Sequence, residues 1–161
     1  MIIGYYHTNN ILRIDGGNSN LDFKNIDLHR VDFENINLLK ADFSNVNIRC
    51  GYLSWSNLKE CNFSNAIMVE CLAIESCFYH SIFYFTMMRW ADFTGSDLSY
   101  CDFTEANVGG ACFINSNLCS SKLLFSNYEK TNFTGAIYDA HTEFLEGFNP
   151  LEHGFIFREN L

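Results

Sequence analysis

Residues 21–65 read LDFKN, IDLHR, VDFEN, INLLK, ADFSN, VNIRC, GYLSW, SNLKE and CNFSN, with an apolar residue at the centre of every block of five. The same register continues to AIYDA at residues 136–140, so 24 pentads follow one another without an insertion. Every central residue is apolar, and Ala73 is the only small one. The first position is most often a small residue, and the second is most often Asp or Asn. A repeat this regular predicts a solenoid.

The spacing of the inward positions predicts the shape of each repeat. They lie alternately two and three residues apart, which matches neither the 3.6-residue period of a helix nor the two-residue period of a strand. We expect a short extended step with two inward side chains, followed by a corner. A corner every five residues winds the chain into coils. Stacked coils then pair their backbone groups along the axis, at roughly 4.8 Å per coil.

Blocks such as ADFSN, CNFSN, ADFTG and SDLSY resemble those of the pentapeptide-repeat proteins, and the resemblance covers about three quarters of the chain. It implies an all-β fold, a right-handed quadrilateral β-helix with four pentads per coil. About six coils would rise roughly 29 Å. Nine of the ten central Phe residues fall in odd-numbered pentads, with Phe78 as the exception. This alternation predicts columns of Phe on two opposite faces and aliphatic columns on the other two.

The two ends lack the pattern, so we expect a β-helix over residues 21–140 with a short capping segment on each side, at 1–20 and 141–161. Residues 15–17, Asp-Gly-Gly, are a turn signal within the N-terminal cap. Residues 149–154, Asn-Pro-Leu-Glu-His-Gly, predict an N-cap, one helical turn and a glycine stop within the C-terminal cap.

The C-terminal stretch YDAHTEFLEGFNPLEHG also resembles an ending common in cyanobacterial pentapeptide-repeat proteins. It departs from that ending at two positions, where Pro is expected in place of Leu145 and Asp in place of Asn149.

The composition disfavours some classes of binding partner. The chain has 19 acidic and 10 basic residues and a net charge of −9. Direct contact with nucleic acid or an anionic membrane is disfavoured, because phosphate contacts need clustered Lys and Arg. The sequence has no signal-peptide pattern and no apolar run long enough to span a membrane, so we predict a soluble cytoplasmic protein. Seven cysteines without a CxxC pair predict free thiols.

No metal, cofactor or catalytic site is predicted. No Cys or His has another Cys or His four pentads further along the chain, the offset at which side chains of neighbouring coils would stack. A zinc site needs four converging N or S ligands. The five histidines are dispersed and suggest no pairing of nucleophile and base. We therefore expect a protein that is not an enzyme.

The strongest departure from the repeat lies in the five pentads of residues 66–90, where no second position is Asp or Asn. Contiguous exposed apolar surface usually marks an interface, with Trp, Tyr and Met as typical anchors. We predict a non-catalytic interaction scaffold that binds a protein partner or associates with itself, a homodimer included. The candidate surface, here called the aromatic belt, comprises Tyr52, Trp55, Ile67, Val69, Leu72, Ile74, Tyr79, Ile82, Tyr84, Phe85, Met87 and Trp90.

Two structural alternatives to an interface stay open for the belt. Its residues could shield one another as ordinary pairs between coils. Ala73 could instead mark a bulge that turns Leu72 and Ile74 inward.

A functional alternative comes from the acidic charge. The chain resembles the pentapeptide-repeat family, and the members of that family that confer quinolone resistance mimic DNA. They bind DNA gyrase and other type II topoisomerases. A DNA mimic needs sustained negative potential along the rod. Seven of the 19 acids here occupy the second pentad position, which the repeat itself favours, and they form no long stripe. They are Asp22, Asp27, Asp32, Asp42, Asp92, Asp97 and Asp102.

Overall fold

Parallel backbone bridges between equivalent residues of successive coils organise the protein, in a computed structural model that describes residues 2–6, 10–14 and 21–159. The bridges run from the pair Asp22 and Asp42 to the pair Asn117 and Ile137. One coil therefore takes four pentads, and the chain forms a β-helix with four faces. We number the faces in chain order by their first bridging residues, Asp22, Asp27, Asp32 and Asn37.

In the described residues, strands of two or more residues lie before residue 21 and after residue 121. Strands β1 (Ile2–Tyr6) and β2 (Asn10–Ile14) form an antiparallel hairpin. Strand β3 (Lys122–Leu123) pairs in parallel with β5 (Glu143–Phe144), and β4 (Ile137–Tyr138) pairs in parallel with β6 (Ile156–Phe157). The turn expected at residues 15–17 lies outside the described residues.

Two 3-10 helices span Tyr128–Lys130 and Pro150–His153. At the second, the side chain of Asn149 accepts a hydrogen bond from the Leu151 N–H, and Gly154 ends the helix with φ 83°. That left-handed conformation suits glycine, which has no Cβ to clash.

Each corner of the coil is a tight turn with a fixed chemistry. The carbonyl of a central residue accepts the N–H three residues on, as Leu28 does from Val31 at 2.9 Å. The fifth residue of each regular pentad is left-handed, with φ from 50° to 62° where it is not glycine. The Asp or Asn at the second position accepts the N–H two residues on, as Asp42 does from Ser44 at 2.9 Å. This local bond explains why the repeat favours Asp and Asn there.

The small first-position residues join neighbouring coils. Their hydroxyl or thiol donates to a central-position carbonyl of the coil below, as from Ser76 to Leu53 at 2.7 Å and from Cys101 to Phe78 at 3.0 Å. Burial raises the pKa of the Cys61 and Cys71 thiols to about 12, so they remain protonated donors. These positions therefore use Cys and Ser for the same purpose, a small buried donor.

Stacked Phe rings fill the core. On face 1, rings of successive coils lie 4.7 Å from centroid to centroid at Phe23 and Phe43, and 4.8 Å at Phe43 and Phe63. On face 3, Phe93 and Phe113 stack at 5.2 Å. The predicted Phe columns on opposite faces are therefore confirmed. Aromatic pairs gain energy beyond the area they bury, which makes these columns a main source of stability.

Ala73 and Phe78, the two departures from the central-position pattern, compensate for each other in volume. Ala73 interrupts the central column of face 3, where Phe93 stands one coil above it. Phe78 on face 4 reaches into the core, with its ring 5.8 Å from Phe63, 5.5 Å from Phe83 and 5.6 Å from Phe93. The extra bulk of Phe78 thus fills the volume that Ala73 leaves.

This compensation predicts strong coupling between the two positions. Phe78→Leu should destabilise by about 1–2 kcal/mol through an unfilled cavity, and Ala73→Phe by about 1–3 kcal/mol through overpacking. The double substitution restores the regular pattern and should recover at least about 1 kcal/mol of the summed loss in a chemical denaturation cycle. Strictly additive losses would show that the two side chains do not share one volume.

The register is not uniform to the end, and this corrects the sequence reading of 24 regular pentads. Asn107 bridges to Ser126 rather than to Asn127, the partner that the regular register would give it. Phe125 is 3% exposed and takes a core place, whereas the predicted central residue, Tyr128, is only half-buried in the first 3-10 helix. The pentad at 121–124 is one residue short, and the segment at 125–130 regains the residue.

The C-terminal segment packs on the last coil. Phe155 is 4% exposed, and its ring stacks on Phe133 at 4.8 Å. Asp139 is also 4% exposed, and its carboxylate accepts the Ser120 N–H and the Ser120 hydroxyl, both at 2.8 Å. In the regular coils a backbone carbonyl accepts the equivalent N–H, as Cys119 does from Tyr100. A side chain therefore replaces the carbonyl where the repeat ends.

Candidate interaction surface

The aromatic belt is largely, but not wholly, exposed. Ile67, Ile74 and Tyr79 are half-buried. Val69 is only 9% exposed and does not belong to an exposed surface, which corrects its inclusion. In the register of the coils Val69 lies in the same column as Arg49 and Arg89. The remaining belt residues are 38% to 55% exposed: Tyr52, Trp55, Leu72, Ile82, Tyr84, Phe85, Met87 and Trp90.

The structure divides the belt among the faces. The first group lies on faces 1 and 2 of a single coil and consists of Ile82, Tyr84, Phe85, Met87 and Trp90. Ile67 lies one coil below this group and bridges to Met87. A second group on face 3 consists of Tyr52, Leu72, Ile74 and Trp55, with Tyr52 bridged to Leu72. Tyr79 lies apart on face 4. The densest exposed apolar surface is therefore the group at residues 82–90, not a full ring.

The bulge expected as an alternative at Ala73 is wrong. Ala73 is fully buried, and Leu72 keeps its regular bridge to Asp92 with its side chain 38% exposed. Mutual shielding between coils does occur on face 4, where Tyr79 and His80 contact the ring of Tyr100 at 5.4 Å and 4.8 Å. In the group at 82–90 the ring contact is local instead, between Tyr84 and Phe85 at 4.4 Å.

Several belt aromatics occupy left-handed corners. Trp55, Phe85 and Trp90 have φ of 60°, 53° and 57°, and they are 55%, 47% and 54% exposed. Other corners carry Asn or Gly, such as Asn65 and Gly95, which adopt this conformation with less strain. The three rings lie outside the core, and Trp55 donates from Nε1 to a carboxylate oxygen of Glu75 one coil up, at 3.2 Å. The left-handed backbone is common to all regular corners, so what distinguishes these three corners is the exposed aromatic side chain, a residue type enriched at interfaces.

The second-position acids have a structural role. All seven accept a backbone N–H two residues on, at 2.9–3.2 Å. Two of them also face lysines, with Lys24 3.1 Å from Asp42 and Lys122 3.9 Å from Asp102. The repeat therefore accounts for these carboxylates without a nucleic-acid-like surface.

The remaining chemistry is sparse. The seven cysteines are all free thiols. Within the described ranges, no three His, Cys, Asp or Glu side chains converge as metal ligands. None of the helices found in residues 2–6, 10–14 and 21–159 combines the length and apolar character that crossing a bilayer requires.

A cleft of about 310 Å³ opens on face 2 beside Trp90. Its walls include Arg89, Gly110, Glu129 and Lys130. The Arg89 guanidinium lies 4.3 Å from the centroid of the Trp90 ring. The pentad pattern does not predict this cleft, although two consecutive glycines at 109 and 110 signal an unusually open corner.

Exposed apolar side chains at the C-terminal end were also not identified from sequence. Leu151, Ile156 and Phe157 are 65%, 56% and 47% exposed. The pentad pattern ends before them, so it gives no indication of which side chains face inward.

Comparisons with known proteins agree with the repeat geometry. A family model described as pentapeptide repeats matches residues 26–65 and 88–123 in eight copies. A comparison with curated proteins finds no matching sequence.

Solved structures of three relatives are similar. HetL, a pentapeptide repeat protein involved in heterocyst differentiation regulation in the cyanobacterium Nostoc, is 22% identical with a TM-score of 0.46 over 74% of this chain. This chain covers 56% of the length of HetL. The Nostoc pentapeptide repeat protein alr5209 is 22% identical with a TM-score of 0.44, over 82% of this chain and 84% of its own. QnrB1, a plasmid-mediated fluoroquinolone resistance protein, is 20% identical with a TM-score of 0.40, over 86% and 89%.

The eight matched repeats, the pentad register and the four-pentad coil define the class. The chain is a pentapeptide-repeat protein, and its fold is a right-handed β-helix.

Proposed function

We propose that this chain is a non-catalytic interaction scaffold, a rod of about six coils with a capping segment at each end. It binds a protein partner, or a second copy of itself, through the belt group at residues 82–90. The supporting observation is the placement of Phe85 and Trp90, which are large, exposed and held at left-handed corners. Aromatic side chains of this kind dominate the energetics of protein interfaces.

Charge and position favour the same surface. Ile82, Tyr84 and Met87 add exposed apolar area to the same coil, each about two-fifths exposed. The column above and below is polar, with Asn65 one coil down and Glu105 one coil up from Phe85. An apolar patch with a polar rim is the usual anatomy of an interface.

The test is a double variant, Tyr84→Ser with Phe85→Asn. Asn tolerates the left-handed corner, so the unfolding free energy of the double variant should equal that of the wild type or rise by roughly 1 kcal/mol. Self-association in sedimentation velocity, or the set of proteins captured from an extract of the producing organism, should be lost. The matched control is Thr104→Ser with Glu105→Asn, the same two positions one coil up.

Stable association and an unchanged set of captured proteins in the Tyr84 and Phe85 variant would contradict the proposal. A parallel variant on face 3, Tyr52→Ser with Leu72→Ser, shows whether the second belt group contributes instead.

DNA mimicry remains the alternative prediction. It requires the purified protein to inhibit supercoiling by DNA gyrase, and the inhibition should fall when Asp22, Asp27, Asp32 and Asp42 are neutralised. If the Tyr84→Ser, Phe85→Asn variant inhibits gyrase as strongly as the wild type, the DNA-mimic function replaces the scaffold function as the conclusion.

A further inference from the structure

The cleft on face 2 exists because the repeat loses one residue there. In the regular coils the corner N–H donates to the carbonyl just before the corresponding corner of the next coil, as from Trp90 to Gly109 at 3.1 Å. For Gly110 the corresponding residue is Glu129, which the short pentad displaces into the first 3-10 helix. None of the hydrogen bonds among the described residues is donated by the Gly110 N–H. The corner is thus left open, and Gly110, with its N–H, is among the residues that line the cleft.

The wall of the cleft depends on glycine. Gly110 has φ 72°, and a Cβ at this position would lie 2.5 Å from Cδ1 of Trp90. The indole of Trp90 therefore lies directly against the backbone of Gly110. The Arg89 guanidinium, 4.3 Å from the same ring, is attracted by its π face. Gly110, Trp90 and Arg89 form one packed layer along the side of the cleft.

Electrostatics select an anionic ligand. Neither Arg89 nor Lys130 forms an ion pair with any residue that the structure describes. Both are exposed at the cleft, together with a single carboxylate, that of Glu129. In a chain of net charge −9 the cleft has one more cation than anion. One excess positive charge suits a monoanion, whereas Glu129 would repel a phosphate dianion.

We propose that this cleft binds a carboxylate presented by an acidic, partly apolar peptide segment of a partner protein. The carboxylate lies between Lys130 and Arg89 within reach of the Gly110 N–H, and apolar side chains of the same segment pack on Trp90 and Met87. The proposal rests on the proposed function, because it assigns a chemistry to the partner of the adjoining belt. Charge complementarity with the cleft identifies the occupant.

Trp90 provides the readout. Trp55 and Trp90 are the two tryptophans of the chain, so Trp55→Phe leaves Trp90 as the sole indole. The probe is a capped peptide of alternating glutamate and leucine, titrated into this variant. Saturable change in Trp90 fluorescence is expected, and Lys130→Gln should weaken binding about threefold to fivefold, as for an exposed ion pair. The matched control is Lys59→Gln, an exposed lysine on face 4, which should leave binding unchanged.

Three results would overturn the assignment: no saturable change, equal binding of the matching glutamine–leucine peptide, or equal weakening by Lys59→Gln. Tighter binding of inorganic phosphate than of the peptide would identify phosphate, not a carboxylate, as the ligand of the cleft. The belt variant keeps Lys130, Trp90 and Gly110, so the two proposals fail separately. If peptide binding is absent while association through the belt is intact, only the cleft proposal is wrong. If association through the belt is absent while peptide binding is intact, only the belt proposal is wrong.

Discussion

Phe63→Ala is expected to destabilise the protein by roughly 3–5 kcal/mol, a large fraction of the stability of a small domain. The ring of Phe63 is fully buried and stacks on Phe43 at 4.8 Å and on Phe83 at 5.2 Å. It also meets the edge of Phe78 at 5.8 Å. Alanine leaves a cavity inside a continuous column of rings, and the stacked backbone of the coils cannot collapse into it.

Equilibrium denaturation in urea measures this loss. The control is Phe157→Ala, which removes an equally large ring that is 47% exposed and should change the unfolding free energy by less than about 1 kcal/mol. Equal effects of the two substitutions would mean that the central Phe column is not the main source of stability.

Asp139→Ala is expected to be the second most damaging substitution, at roughly 3 kcal/mol. Besides the two groups of Ser120, the carboxylate accepts the Thr142 hydroxyl and the His141 N–H, both at 3.0 Å. Removing it leaves these donors without their acceptor at the exit from the last coil. Glu143→Ala, which removes a nearby exposed carboxylate, is the control and should change stability by less than about 0.5 kcal/mol.

The pH dependence of this effect has a definite sign. Burial alone would raise the pKa of Asp139, but the hydrogen bonds from Ser120, Thr142 and His141 outweigh it and hold the pKa below its usual range. The stabilisation is therefore present above the unfolded-state pKa, about 3.9, and is lost as the pH falls through the lower folded-state value. The difference between wild type and Asp139→Ala should shrink below about pH 4. A difference that stays constant down to acid pH would show that the charge of Asp139 does not matter.

The regular part of the fold is predictable because one spacing decides it. A central residue such as Phe63 must point inward, and a second-position residue such as Asp42 must bond its own turn, so pattern and geometry coincide. The exceptions Ala73 and Phe78 are visible in the sequence as departures. Their mutual compensation becomes clear only when residues from different faces are seen to share one volume.

The shifted register and the open cleft escaped sequence reasoning for a different reason. The pentad register places Tyr128 at a central position and Phe125 at a corner, and because both residues are apolar the pattern does not signal that they exchange places. The choice depends on the packing of Phe125 against Phe133, at 5.4 Å, and on the segment that follows. The sequence predicts the belt as exposed apolar surface. Its division among faces depends on the corner geometry, and the 9% exposure of Val69 is visible only in the structure.

The short pentad at 121–124 and the longer segment at 125–130 act together as a deletion and an insertion that cancel. The bridges between Cys112 and Asn132 and between Asn117 and Ile137 have the full four-pentad spacing again, so faces 3 and 4 keep their register across this change. A helix of this kind can therefore absorb a change in chain length at one corner without displacing the two faces that follow it. The corner at 125–130 is accordingly the place where a foreign loop could be grafted, with the rest of the rod serving as an unchanged frame.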